Sequence, residues 1–153
     1  MDFSFKIDGL DRIEKASGRV QQEIHKELQK GLYASGLKVE KEAKQSILSG
    51  QKSGRIYTRR TVTHRASAPG EAPASDTGRL VNSITTYVNR ISKLEALVVA
   101  GRGVVKYARM LEFGTAKMSA RPFMFPAFEK SRSWIQERLN KAVRDGVIKA
   151  TRK

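Results

Sequence analysis

The chain has 153 residues, 39% of them hydrophobic and 29% charged, which suits one globular domain and lies outside the composition of wholly disordered chains. It contains no cysteine, which excludes a disulfide framework, a thiolate metal site and a cysteine nucleophile. With 30 Lys and Arg against 15 Asp and Glu its formal charge is +15, a field that attracts DNA, RNA or acidic protein faces without choosing among them.

Residues 2–7 alternate apolar and polar side chains, the period of a short half-buried edge strand. Asp11, three residues before Glu14, resembles a reciprocal capping arrangement and opens a long helix predicted over about residues 11–48. Ile13, Val20, Ile24, Leu28, Leu32, Val39, Ala43 and Ile47 form its apolar stripe. Gly31 and Gly36 bracket a weak spot where that helix is expected to bend or split. Tyr33 and Leu37 lie off the stripe and offer either a second contact surface or further core packing.

Ser49-Gly50 ends the helix and opens an extended basic loop over residues 49–75, with a hairpin expected around Ile56 to Thr63. No acidic residue occurs between Glu42 and Glu71, whereas Lys44, Lys52, Arg55, Arg59, Arg60 and Arg65 do, so nothing within that stretch neutralises it. The following segment, with Pro69, Gly70 and Pro73, is a loop, and Ser75 or Asp76 is placed to cap a short helical turn reaching about Ser83.

Ile84, Thr86 and Val88 alternate with Thr85, Tyr87 and Asn89 as a strand with one wet face. After a turn near Ser92-Lys93, Leu94 to Ala100 reads as a more central, antiparallel strand. Val104 to Phe113 suits a strand end followed by a helical turn closed at Gly114, with an irregular segment over residues 115–121. Pro122 and Pro126 bracket Phe123, Met124 and Phe125, and Pro126 suits the first turn of a final helix. That helix presents Phe128, Ile135, Leu139, Ala142 and Val143 on its apolar face, is expected to stop at Gly146, and leaves a flexible basic tail at residues 150–153. The whole reads as a single α+β domain over residues 1–153: a long N-terminal helix and a C-terminal helix packed on a small antiparallel sheet, with a long basic loop.

The residue inventory supplies no catalytic constellation. His25 falls on the polar side of the first helix and His64 in the basic loop, each without a carboxylate cluster, so both read as surface histidines and no metal site is expected. There is no nucleophile elbow and no phosphate-gripping loop; Gly101-Arg-Gly103 lacks the third glycine and the helix that a dinucleotide fingerprint needs. The acids are scattered along helices, so no general acid and base pair can be nominated. No enzymatic activity and no cofactor are expected. The start, MDFSFKIDGLDRIEK, lacks a signal-peptide pattern, and no apolar run approaches the roughly 20 residues that cross a bilayer.

Two segments carry a family likeness. Tyr107-Ala-Arg-Met-Leu-Glu-Phe-Gly-Thr115 followed by Ala120-Arg-Pro-Phe-Met-Phe-Pro-Ala127 resembles the signature of a tail-component family of long-tailed bacteriophages. Its members are described as neck, head–tail joining or tail-completion proteins and are distantly similar to the lambdoid minor tail protein Z. Pro69-Gly-Glu-Ala-Pro73 and Asp76-Thr-Gly-Arg-Leu80 with Ser83-Ile84 match the same pattern upstream, in the same order and spacing.

The resemblance implies a structural virion protein at the neck or upper tail, assembled in the host cytoplasm. It would form a homo-oligomeric ring, hexameric or dodecameric, between head-closure proteins and the tail-terminator or tail-tube proteins, with no membrane partner. A ring subunit needs apolar surface that a neighbour covers, and Tyr33, Leu37, Glu112, Phe113, Gly114, Arg121, Pro122, Phe123, Met124 and Phe125 are the candidates. Phe123 to Phe125 could equally plug their own core, and Glu112 could pair with Arg121 across the bend or be solvated. Lys52, Arg55, Arg59, Arg60 and Arg65 would touch phage DNA transiently, dock on an acidic neighbour, or stay solvated until assembly. The rival reading is a free, non-specific nucleic-acid-binding protein, against which stands the absence of a helix-turn-helix, RNA-recognition or zinc-finger pattern.

Overall fold

Helical periodicity without an interrupting proline carries the chain from Gly18 to Ser49 as α1, about 48 Å at 1.5 Å per residue. The computed structural model describes residues 2–6, 18–50, 52–89, 94–103 and 105–152. The expected cap at Asp11 and Glu14, the stripe residue Ile13 and the turn at Ser92-Lys93 lie outside the described residues. From Ile24 to Ile47 every residue assigned to the α1 stripe is buried.

The remaining elements follow as the alternation suggests. They are β1 (Asp2–Lys6), then the hairpin strands β2 (Ile56–Arg59) and β3 (Val62–Arg65), a short α2 (Arg79–Asn82), β4 (Thr85–Asn89), β5 (Glu95–Val99), α3 (Ala108–Phe113) and α4 (Met124–Thr151). One sheet has the order β1-β5-β4, antiparallel throughout, with Ser4 opposite Leu97 and Thr86 opposite Val98; β2 and β3 form a separate two-stranded ribbon. The central place of β5 follows from its composition. Ala96 and Val98 are fully buried, and Val99 nearly so, which suits a strand flanked on both edges.

α1 is the middle layer, with the β4–β5 part of the sheet on one side and α4 along another. The two long helices are antiparallel. Arg19 reaches the carbonyl of Arg152, Lys149 meets Glu27 at 2.7 Å, and Lys130 meets Glu42 at 2.7 Å. Glu27 and Glu42 are buried at the interhelical seam, and the pKa of each is lowered, chiefly by the hydrogen bond from Lys149 or Lys130 and then by Lys30 or Lys38. Ser35 and Ser131, also buried, return their hydroxyls to the carbonyls of Gly31 and Ala127 on their own helices, leaving no donor unsatisfied.

Three glycines take a meaning the sequence does not announce. α1 runs unbroken through Gly31 and Gly36, so the helix does not split there. A Cβ at Gly31 would lie 3.2 Å from Ala142 Cβ, and one at Gly36 would collide with Thr86 on β4, so both are close-approach positions. Gly146 is likewise no stop: α4 continues to Thr151, and a Cβ at Gly146 would lie 2.6 Å from Ile24 Cα. The expected tail at 150–153 is therefore helical at Ala150 and Thr151, with Ala150 buried.

Two further corrections concern the connections. Gly78, in the left-handed region at φ 72°, rather than Ser75 or Asp76, stands at the start of α2, which has no side-chain cap. Residues 105–107 make a turn instead of a strand end, with Val105 N bonded back to Gly101 O across a glycine at φ 79°.

Candidate assembly surface and basic hairpin

The motif from Tyr107 to Ala127 divides into a buried structural half and an exposed apolar half. Glu112, 4% exposed, does not pair with Arg121. Its carboxylate accepts the amide hydrogens of Phe123 (2.8 Å), Met124 (3.0 Å) and Phe125 (2.8 Å). Those are orphan donors of the first turn of α4, and a carboxylate there also complements the positive end of the helix dipole. Arg121 instead donates through Nε and Nη2 to the carbonyl of Ser67, while its amide bonds Leu111 O. Gly114 closes α3 at φ 75°, where a Cβ would meet Met118 O at 2.8 Å and Ala120 N at 2.9 Å, so the bend requires glycine.

The burial of Phe123 and Met124, both fully enclosed, settles their role: they are core residues, and with Glu112 they present no side-chain surface to a partner. Phe125 differs because α4 begins at Met124 and successive helical residues point about 100° apart. Exposed beside the cap are Phe125 at 57%, Tyr107 at 44% immediately before α3, and Met110 at 51% and Phe113 at 67% on α3. Tyr107, Met110 and Phe113 recur every three residues, which puts them on one side of α3, and Lys106 and Arg109 lie exposed among them. Sequence reasoning missed Tyr107 and Met110 as surface residues. The available signal was that spacing in a helix that can bury only its other side, at Ala108 and Glu112.

A second apolar strip lies on α1, where Tyr33 and Leu37 are exposed one turn apart and Leu48 three turns further. Tyr33 shares a shallow cleft with Val88 of β4 and with Lys26, Gln29 and Lys30. Tyr33 and Leu37 are thus mid-helix, while α3 sits by the start of α4, which neighbours the other end of α1 at Glu42. Pro122 and Gly114 are half-buried supports between the two halves of the motif.

No protein-family model, curated protein or solved structure matches the chain.

The hairpin expected in the basic stretch is present as a two-stranded ribbon. β2 and β3 pair from Ile56–Arg65 to Arg59–Val62, closed by Arg60-Thr61 with Arg60 at φ 57°, and the ladder continues through Gly54 N to Ala66 O and Ala66 N to Arg55 O. Its base is tied down by two charged groups. Lys52 donates to the carbonyls of Ser46 (2.9 Å) and Ala72 (2.7 Å), and burial lowers its pKa. Glu71 accepts from the Ser53 hydroxyl and from the amides of Ser53 and Ala68, which together pull its pKa down to about 2.

Acid from outside the stretch neutralises part of it. Asp76 binds Arg59 at 2.8 Å and lies 3.4 Å from His64 Nε2, and His64 stacks on Tyr57. Lys52 and Arg59 are therefore engaged internally. Arg55, Arg60 and Arg65 are exposed and, among the described residues, form no ion pair. Under the ribbon, a cleft of about 310 Å³ is bounded by Tyr57, Asp76, Arg79, Tyr107 and Arg121. Among the described residues no group of three His, Asp or Glu is placed to hold a metal ion.

Proposed function

We propose that this chain is a structural virion subunit that joins copies of itself into a ring at the head–tail junction of a long-tailed phage. It completes the tail by shape and charge, without chemistry on a substrate. One observation carries the reading. The very segment that resembles the neck and tail-completion signature spends Glu112, Phe123 and Met124 on its own fold and leaves Tyr107, Met110, Phe113 and Phe125 in water.

Large apolar side chains clustered on one exposed face mark surfaces that a partner covers. The separate strip of Tyr33 and Leu37 supplies the second, different face that a head-to-tail contact needs, and such contacts generate a cyclic ring when the rotation between subunits closes. The rival, a free nucleic-acid-binding protein, gives these apolar faces nothing to do.

The test is a double substitution, Met110→Asp with Phe113→Asp. Both side chains are exposed, so the fold is unaffected, and far-ultraviolet circular dichroism checks this. Sedimentation velocity is expected to show the wild-type chain as a closed oligomer and the variant as a monomer. Indistinguishable sedimentation of the two would remove α3 from the interface.

A further inference from the structure

The ring reading leaves the β2–β3 ribbon without a role. Its cross-strand pairs sort it into two faces. Tyr57 with His64 and Arg59 with Val62 share the face turned to Asp76. The opposite face carries Thr58 with Thr63 and Ile56 with Arg65, all exposed, and the tip adds Arg60 and Thr61. Arg55 stands exposed at the base.

Arg65, Arg60 and three threonines therefore share one projecting strip, with Arg55 at the base of the ribbon on the other face, and the stretch has no carboxylate of its own, since no acid occurs between Glu42 and Glu71. The partner is not another copy of this chain. Each copy carries a formal charge of +15, so two copies repel, and Glu27, Glu42, Glu71, Asp76 and Glu112 are already engaged within the fold.

Between an acidic protein and a nucleic acid the composition of the outer face decides. Protein interfaces centre on aromatic and other apolar anchors, and Ile56 alone is apolar here. Protein–DNA interfaces are polar and strongly cationic, most of their contacts running from Arg, Lys, Ser and Thr to phosphate oxygens. Two strands about 4.8 Å apart also make a ribbon that a major groove of about 12 Å admits.

We propose that the ribbon is a phosphate-binding arm that lies against duplex DNA through Arg55, Arg60 and Arg65 without reading sequence. This goes beyond the ring assignment and does not depend on it, because a monomer could bind DNA in the same way.

The test compares the wild-type chain with Arg55→Gln/Arg60→Gln/Arg65→Gln and with a control of equal charge loss on α4, Arg138→Gln/Lys141→Gln/Arg144→Gln. Binding of a random-sequence duplex is titrated between 50 and 200 mM salt. Each phosphate neutralised contributes about 0.9 to the slope of log affinity against log salt, so the ribbon variant is expected to lose about 2.7 from the slope. That corresponds to removing about 40-fold of salt sensitivity over this fourfold range. The α4 control is expected to lose much less.

Equal losses from both variants would mean general charge and would overturn the proposal. So would binding of polyglutamate with the same ribbon dependence as duplex, which would make the partner an acidic protein. A measurement on the unmutated chain guards against misfolding. Bound duplex is expected to protect Arg60 and Arg65 from phenylglyoxal, and unprotected arginines at saturating DNA would also overturn it.

Discussion

Replacing Glu112 by alanine is expected to lower the stability of the chain by about 3 kcal/mol, because it strands three buried or half-buried donors at once. For a chain of this length that loss corresponds to a fall of roughly 6–12 °C in the thermal midpoint, read by circular dichroism. The magnitude follows from the partners. The carboxylate is the acceptor for the amides of Phe123, Met124 and Phe125, and two of those residues are fully enclosed, so water cannot replace it without opening the core. Glu112→Gln, which keeps one acceptor oxygen and sets an NH₂ against an N–H, should fall between wild type and alanine. Glu129→Ala, at an exposed site on the same helix, should change the midpoint little. If Glu112→Ala unfolded at the wild-type temperature, the carboxylate would not be the cap of α4.

Gly146→Ala is expected to destabilise by about 2 kcal/mol, against the sign that local propensity predicts. In a helix interior alanine is better than glycine by about 1 kcal/mol, so an unpacked Gly146 would stabilise when replaced. Here the added methyl would meet Ile24 Cα at 2.6 Å and Ile24 N at 2.9 Å. Those are backbone atoms and cannot rotate away, so α1 and α4 must separate, and overpacking of this kind, at about 3 kcal/mol, outweighs the propensity gain of about 1 kcal/mol. The separation also pulls on the nearby Glu27–Lys149 contact. Denaturant unfolding at constant m-value measures the change, and a rise in midpoint would show that the helices are not in contact at this point.

These two positions also mark where sequence reading reaches its limit. The long helices, the central β5 and the edge β1 were legible because periodicity of 3.6 or 2 and the absence of proline are local properties of the chain. The glycines were not: sequence reveals that Gly31, Gly36 and Gly146 weaken a helix, but the neighbour that forbids a side chain lies on another element. Glu112 was singled out with the wrong partner, since its true partners are backbone amides 11 to 13 residues away, which no side-chain pattern encodes.

The candidate site divides in the same way. Phe123, Met124 and Phe125 are indistinguishable as a triplet, and only the starting point of α4 turns the first two inward and the third outward. Asp76 lies 17 residues beyond Arg59 and could not be matched to it without the fold, so the basic stretch looked less neutralised than it is. Arg55, Arg60 and Arg65 remain as the sequence suggested, exposed cations without an acid among the described residues.

The proposed assembly role is tested most directly by producing phage particles without this chain and imaging them by electron microscopy. Separate filled heads and separate tails are the expected result, with joining restored when the purified chain is added back. Fully joined, infectious particles in its absence would contradict the account.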